Sequence, residues 1–278
     1  MRVAVTGASG FVGRHVVRAL RARGAGVIAL SRHPEAALDA GVQAVALDIA
    51  EAGSDAFDRI GRPDALLHLA WGGLPNYRAA HHLEHELPLH AAFLENCVRG
   101  GLRRLAVAGT CLEYGMRSGE LEESLVAEPV VAYARAKHAL HRRLQALRME
   151  SPFGLAWLRV FYLYGPGQAP TSLWAQLRAA LARGATHFDL SPGDQLRDFI
   201  SVETAANTIA TLVTAHADPG TVNICSGAPV TVLDTVRGWL RDEERDLVLV
   251  PGVLPYPDYE PFAFWGSTRY LDDLLGAT

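Results

Sequence analysis

The start of the chain limits its fold more than any other segment. The apolar run from Arg2 to Thr6 breaks into TGASGFVG, where Gly7, Gly10 and Gly13 recur at three-residue spacing. Glycine lets a backbone turn tightly and lie against an anion. A helix starting near Phe11 and Val12 then points its free N–H groups at that same place. Three glycines alone are weak evidence, so the surrounding pattern has to decide.

The pattern is that of a repeating strand–helix chain. Apolar runs at 2–6, 26–30, 43–47, 64–69, 102–108 and 155–161 read as strands, and segments at 11–23, 52–60, 78–99 and 133–148 carry helical period, with a break at Pro88. This alternation predicts an α/β fold, a Rossmann-type parallel sheet flanked by helices. Beyond Tyr164 prolines and glycines cluster at 164–170, 191–193 and 251–261, as in loops that build a ligand lobe. The expected division is a dinucleotide domain over 1–163, rejoined by a strand–helix–strand return at 198–228. A smaller carboxy-terminal lobe takes 164–197 and 229–278.

Composition excludes several partner classes. The net charge of −4 gives no reason to expect nucleic acid or an anionic membrane surface. No apolar run approaches the ~18 residues of a membrane span. The amino terminus shows no basic leader followed by an apolar stretch, which predicts a cytoplasmic protein. Cys97, Cys111 and Cys225 are too few and too unpatterned for a disulfide framework or a zinc site.

The glycine turn therefore reads as the cradle of a dinucleotide's pyrophosphate. NAD-binding versions place a carboxylate at the end of the second strand, to accept the ribose hydroxyls. Here the strand ends in LSRHP, offering Ser31, Arg32 and His33 instead. Arg32 suits a 2′-phosphate, so NADP is the expected cofactor, with NAD as the alternative if Arg32 only faces solvent. Asp48 and Ile49 close the third strand beside the expected adenine, where Asp48 can equally cap the next helix.

Of 26 basic residues all but Lys137 are arginine. The one lysine stands four residues after Tyr133, so the two share a face near the start of the helix predicted at 133–148. A free phenol has a pKa of about 10, too high for acid–base work at neutral pH. A neighbouring ammonium and the helix N-terminus are expected to lower it, letting Tyr133 exchange a proton with a carbonyl oxygen as hydride moves. Thr110, ending the fifth strand, is placed to hydrogen-bond the same oxygen.

Eight segments together resemble one family: TGASGFVG, LDI at 47–49, HLA at 68–70, GTCLEYG at 109–115, YARAK at 133–137, LYGPGQ at 163–168, RDFISVE at 197–203 and VNICSG at 222–227. Over nearly its full length the chain resembles the extended short-chain dehydrogenases, which include nucleotide-sugar epimerases, dehydratases and reductases. The resemblance implies a nucleoside-diphosphate sugar as substrate and a homodimer paired through two helices. Thr110, Tyr133 and Lys137 take the catalytic roles, while Leu69 and Ala70 line the cofactor. Trp71 and Tyr162 face substrate, and Arg197 holds the diphosphate unless it merely pairs with Asp198 at the surface.

Two departures narrow the reaction. Dehydratases of the family place an aspartate and a glutamate after the threonine, whereas Cys111 and Leu112 stand here. Tyr162 occupies a position where many members carry asparagine. The segments HLAWGGLPNY, GTCLEYG, GQAPTSL and PYPDYEP are similar to bacterial reductases of the family acting on nucleotide-linked 4-keto-6-deoxyhexoses. An NADPH-dependent 4-ketoreductase is the leading expectation, with an epimerase that retains its NAD, or a non-catalytic NADP sensor, as rivals. His81, His82, His85 and His90 read as a solvated helix face without a metal. Glu120, Glu122 and Glu123 read as a solvated charge run. The stripes Leu83–Leu87–Ala91–Leu94–Val98 and Ala136–Leu140–Leu144–Leu147 read as helix faces packed on the sheet.

Overall fold

The computed structural model describes residues 1–32 and 41–276. The strands are β1 (Arg2–Thr6), β2 (Gly26–Ser31), β3 (Gln43–Ala46), β4 (Ala65–His68), β5 (Arg104–Thr110), β6 (Gly119–Leu121), β7 (Gly154–Val160), β8 (Tyr162–Tyr164), β9 (His187–Asp189), β10 (Leu196–Ser201), β11 (Gly220–Ile224), β12 (Pro229–Thr231), β13 (Val248–Val250) and β14 (Phe264–Gly266). The helices are α1 (Phe11–Ala22), α2 (Ala56–Arg59), α3 (Leu87–Arg99), α4 (Ala132–Glu150), α5 (Leu173–Ala182), α6 (Val202–Ala215), α7 (Val232–Asp242) and α8 (Arg269–Gly276).

Seven strands form one parallel sheet in the order β11-β7-β5-β4-β1-β2-β3. Because successive side chains point to opposite faces, a strand covered on both sides must be apolar throughout. In β1, Val3 and Val5 join the core beneath α1 and α6, while Ala4 joins the core beneath α3 and α4. Each fully buried valine or leucine in those layers contributes about 1.5–3 kcal/mol relative to leaving it exposed. Both predicted stripes are spent here: Ala91, Leu94, Val98, Ala136, Leu140, Leu144 and Leu147 are buried inside the chain, and only Leu83 is exposed.

Chain order reverses at β1, which lies between β4 and β2. Open parallel sheets bind ligands in the crevice beyond the strand ends at such a switch point. The loops after β1, β4 and β5 meet there. Away from the sheet, β8, β10 and β12 form a three-stranded sheet, and β9 with β13 and β6 with β14 form pairs. A separate core of Leu177, Phe188, Leu190, Val236 and Trp239 holds α5 and α7 against these strands. Within the return segment, β11 rejoins the large sheet beside β7, whereas β10 belongs to the small one.

Two sequence expectations change. The helix expected at 52–60 shrinks to α2, because Asp48 caps a separate short turn at Ile49–Glu51 before it. The helix expected over 78–99 does not break at Pro88. It is regular from Leu87, and the irregularity is a wide π-type turn at His82–Glu86. Pro88 sits in the first turn of α3, where a missing N–H costs little.

Candidate active site

The glycine turn has the shape its spacing predicts. Gly7 adopts φ +67°, and its carbonyl accepts from Gly10 N at 2.9 Å. A Cβ on Gly13 would stand 2.0 Å from Gly7 O, so only glycine lets α1 approach this closely. Gly10 caps α1 with no side-chain hydrogen bond, leaving the first N–H groups to an incoming anion. They open on a cleft of about 500 Å³ lined by Gly7, Ser9, Gly10, Ser31, Arg32, Asp48, Ile49 and Ala70. Uncapped N–H groups, a cradle that a Cβ would fill and a cation at the end of β2 fit a dinucleotide. Arg32 is exposed, and His33 lies outside the described residues. Asp48 does cap, its carboxylate accepting from Ala50 N at 2.9 Å.

A second cavity, of about 330 Å³, adjoins it and holds Thr110, Tyr133 and Lys137 together with Phe11, Val12, Leu69, Tyr162, Gln168 and Glu260. Trp71 lines both cavities. Thr110 ends β5 and caps the short turn Cys111–Tyr114: its hydroxyl oxygen accepts from Leu112 N at 3.3 Å, and its own N–H donates to Glu113 Oε1 at 2.9 Å. With that oxygen already accepting, the hydroxyl proton is available to a ligand. Tyr133 and Lys137 lie one turn apart on α4, both buried.

The expected lowering of the phenol's pKa is not found in the chain alone. Burial raises it well above the ordinary value, with Tyr77, Glu113 and Cys111 adding to the effect. Burial also pulls Lys137 down to about 7, against the opposing pull of Glu113 and Glu86. Desolvation penalises both charged forms, and the Lys137 ammonium stands 5.9 Å from the Tyr133 ring centre. Burial therefore favours the neutral phenol of Tyr133.

The histidines are not a solvated face. His82 and His90 are buried, and only His81 and His85 are exposed. Thr6 Oγ accepts from Leu69 N and Ala70 N, so its own proton goes to His68 Nδ1 at 2.9 Å. His68 Nε2 then donates to His90 Nδ1 at 2.7 Å, and His90 Nε2 to Glu86 at 3.0 Å. Burial holds both imidazoles neutral by lowering their pKa values. The hydrogen bond from His90 keeps Glu86 ionised, well below the usual carboxylate range. His81, His85 and Glu86 come close enough to suggest a metal. The two imidazoles lie face to face at 4.7 Å and 14°, with His81 Nε2 and His85 Nδ1 both meeting Glu86 Oε1, at 2.8 and 3.3 Å.

Arg197 overturns the surface reading of it. It is buried, and its partner is Glu260, at 3.0 Å from Nη2 and 3.3 Å from Nε, with Nη1 donating to the Leu196 and Phe262 carbonyls. Asp198 instead accepts from Ser226, Gly227 and Gly266. Arg197 holds no surface pair, and a diphosphate would have to displace Glu260 to reach it. The Tyr162 hydroxyl, beside the Glu260 carboxylate, and Gln168 Oε1 are buried at the second cavity outside the geometric hydrogen bonds of the chain. Of the glutamate run, Glu120 and Glu122 meet Arg269, but Glu123 is half-buried and accepts from Asn223 N at 2.8 Å.

The sequence profile of the NAD dependent epimerase/dehydratase family matches residues 3–225. The chain belongs to that family. It is 28% identical over 272 residues to a dTDP-6-deoxy-L-talose 4-dehydrogenase (NAD(+)) of Aggregatibacter actinomycetemcomitans, covering 96% of this chain and all of the relative. A dTDP-6-deoxy-L-talose 4-dehydrogenase (NAD(P)(+)) of Kitasatospora kifunensis is 30% identical over 274 residues, 92% of this chain and 83% of that one. Among solved structures, MoeE5 in complex with UDP-glucuronic acid and NAD superposes with a TM-score of 0.83 at 27% identity, over 99% of this chain and 93% of that one. The UDP-glucuronic acid 4-epimerase of Bacillus cereus shares the fold, with a TM-score of 0.85 at 21% identity, over 100% of this chain and 94% of its own. This family member is thus a nicotinamide-dependent oxidoreductase with a parallel sheet flanked by helices. Among the described residues no helix is long and apolar enough to cross a membrane.

Proposed function

We propose that this chain is an NADPH-dependent 4-ketoreductase of a nucleotide-linked 4-keto-6-deoxyhexose, interconverting dTDP-4-keto-6-deoxy-L-hexose and dTDP-6-deoxy-L-talose or an epimer of it. The observation that carries the reading is a buried Tyr133 lining one cavity with Thr110 and Lys137, with Cys111 and Leu112 where a dehydratase needs its acid and base. The two talose dehydrogenases are named for the same interconversion in its oxidative direction, which supports the choice of sugar.

When bound, reduced nicotinamide supplies the hydride that goes to the carbonyl carbon. Tyr133 gives its proton to the carbonyl oxygen, and the electron pair left behind makes a phenolate. The Thr110 hydroxyl donates a hydrogen bond to the same oxygen, stabilising charge as it develops there. Lys137, as an ammonium, stabilises the phenolate until a solvent proton restores it. Tyr162 and Gln168 offer a hydroxyl and an amide oxygen that sugar hydroxyls or a carboxamide can take up.

Stoichiometry separates reductase from epimerase. A dTDP-4-keto-6-deoxyhexose is expected to oxidise many equivalents of NADPH per site, followed as falling absorbance. Interconversion of two reduced sugar nucleotides with no net cofactor use would favour the epimerase. Tight NADP binding with neither activity would favour a sensor.

The cofactor preference rests on Arg32 at the mouth of the first cleft. Arg32→Asp replaces an attractive phosphate contact with a repulsive one, so it should weaken NADPH far more than NADH. Kinetics with both cofactors measure this, and an unchanged preference ratio would remove the basis for NADP.

A further inference from the structure

Lys137 is the most enclosed cation of the chain's active site, 1% exposed. Among the described residues its ammonium makes neither a salt bridge nor a hydrogen bond; the acidic groups acting on it, Glu113 and Glu86, do so only through space. A flexible four-carbon stem without a partner would wander among rotamers. What it does meet is the face of Trp71, with Nζ 3.9 Å from the ring centre, well inside the ~6 Å range of a cation–π contact.

The indole is itself fixed. Its N–H donates to His82 Nδ1 at 3.1 Å, and His82 Nε2 donates in turn to the Asn76 carbonyl at 2.9 Å. The ring stacks on His90 at 4.5 Å and 15°, and meets the edge of Tyr133 at 6.0 Å and 71°. His90 is locked between His68 and Glu86. Glu86 also accepts from the N–H of Gly72, the residue after Trp71, at 2.7 Å. Ring plane, ring edge and the adjoining backbone are each tied to a different side chain.

We propose that Trp71 is a positioning residue for Lys137, an aromatic seat that holds the ammonium, with His82, His90 and Glu86 as the supports of that seat. The seat stands between the two cavities, so it sets the ammonium where cofactor and phenol adjoin. It also favours the charged form in a place where burial opposes it. The charged and titratable groups facing Lys137 are Glu113 from the turn after β5, Glu86 from the π-type turn, His68 on β4, His90 on α3 and Tyr133 on its own helix. The inference rests on the role proposed for Lys137, but its test needs neither cofactor nor substrate.

Because Lys137 is the only lysine, full-length protein labelled with ¹³C,¹⁵N-lysine gives a single side-chain signal. In the cofactor-free wild type the ε-CH₂ protons should be shifted upfield by the indole ring current. Trp71→Leu should abolish that shift and lower the titration midpoint of the ammonium by about one pH unit. Trp71→Phe, which keeps an aromatic face, should recover part of both. His82→Leu, which leaves both Trp71 and Lys137 unsubstituted but removes the acceptor of the indole N–H, should reduce the ring-current shift. An unshifted ε-CH₂ signal in the wild type overturns the proposal and needs no variant to fold. So does a Trp71→Leu protein with the wild-type shift and midpoint. Loss of sugar-nucleotide turnover alone would bear on the proposed function and leave these spectra unaffected.

Discussion

Tyr133→Phe should reduce turnover by about 10²–10⁴-fold while leaving dinucleotide affinity nearly unchanged. The variant removes one oxygen and keeps the ring that packs against Trp71, Tyr77 and His82. The cavity therefore survives, and what is lost acts mainly in the transition state. Burial holds the phenol protonated, so reduction should show no loss from phenol ionisation across neutral pH. Lys137, lowered to about 7, is the group that titrates in that range. Its ammonium is present below that value and lost above it, so reduction in the wild type should slow as pH rises through about 7. A bound dinucleotide that supplies negative charge near Lys137 would move this limb upward. Single-turnover measurements of NADPH oxidation against pH, alongside titration of NADPH binding, test both statements. A phenylalanine variant that turns over at the wild-type rate removes Tyr133 from the mechanism.

The parts legible in the sequence are those where local chemistry and the tertiary fold ask for the same residue. β1 was readable to the residue, since an apolar run buried on both faces ends at a glycine that no other residue can replace. Tyr133 and Lys137 were readable because a helical turn fixes their relation whatever surrounds them. The strand expected at 102–108 begins two residues later, at Arg104, because Leu102 is buried ahead of the pairing with β7 rather than within it. Partners far apart in the chain were not readable: Arg197 meets Glu260 across 63 residues, and no local pattern announces it.

The direction of the phenol's pKa shift is not legible in the sequence for a related reason. The spacing shows that an ammonium is near, but not that both groups are dry. Two further signals stand in the sequence itself. His68 sits inside the apolar run ALLHLA, and a histidine buried there must find a hydrogen-bond partner. Thr110 and Glu113 have the threonine-x-x-glutamate spacing of a capping box, which ties a carboxylate to the backbone of a candidate catalytic residue.

That carboxylate is the site of the largest expected stability loss. Glu113 is fully buried and serves three partners at once. It accepts from Thr110 N at 2.9 Å and from the Trp157 indole at 3.0 and 3.1 Å, and it faces Arg159 Nε at 3.5 Å. Burial pushes its pKa up, while Arg159 is the strongest influence holding it down. Glu113→Ala leaves a buried guanidinium without its nearest counter-charge, and a backbone N–H and an indole N–H without acceptors. Breaking a buried ion pair from one side costs about 3–5 kcal/mol, most of it from the charge left behind. Glu113→Gln retains an amide oxygen for Thr110 N, so its loss should be smaller, confined chiefly to the pairing with Arg159. The difference separates the two roles of the side chain. Urea unfolding of the three proteins, with m-values checked for constancy, measures it. Because Thr110 is tied to Glu113 through its backbone, the alanine variant should also lose turnover at temperatures where it remains folded. An alanine variant as stable as the wild type would show that Arg159 finds other acceptors, and that Glu113 fixes neither the fold nor Thr110.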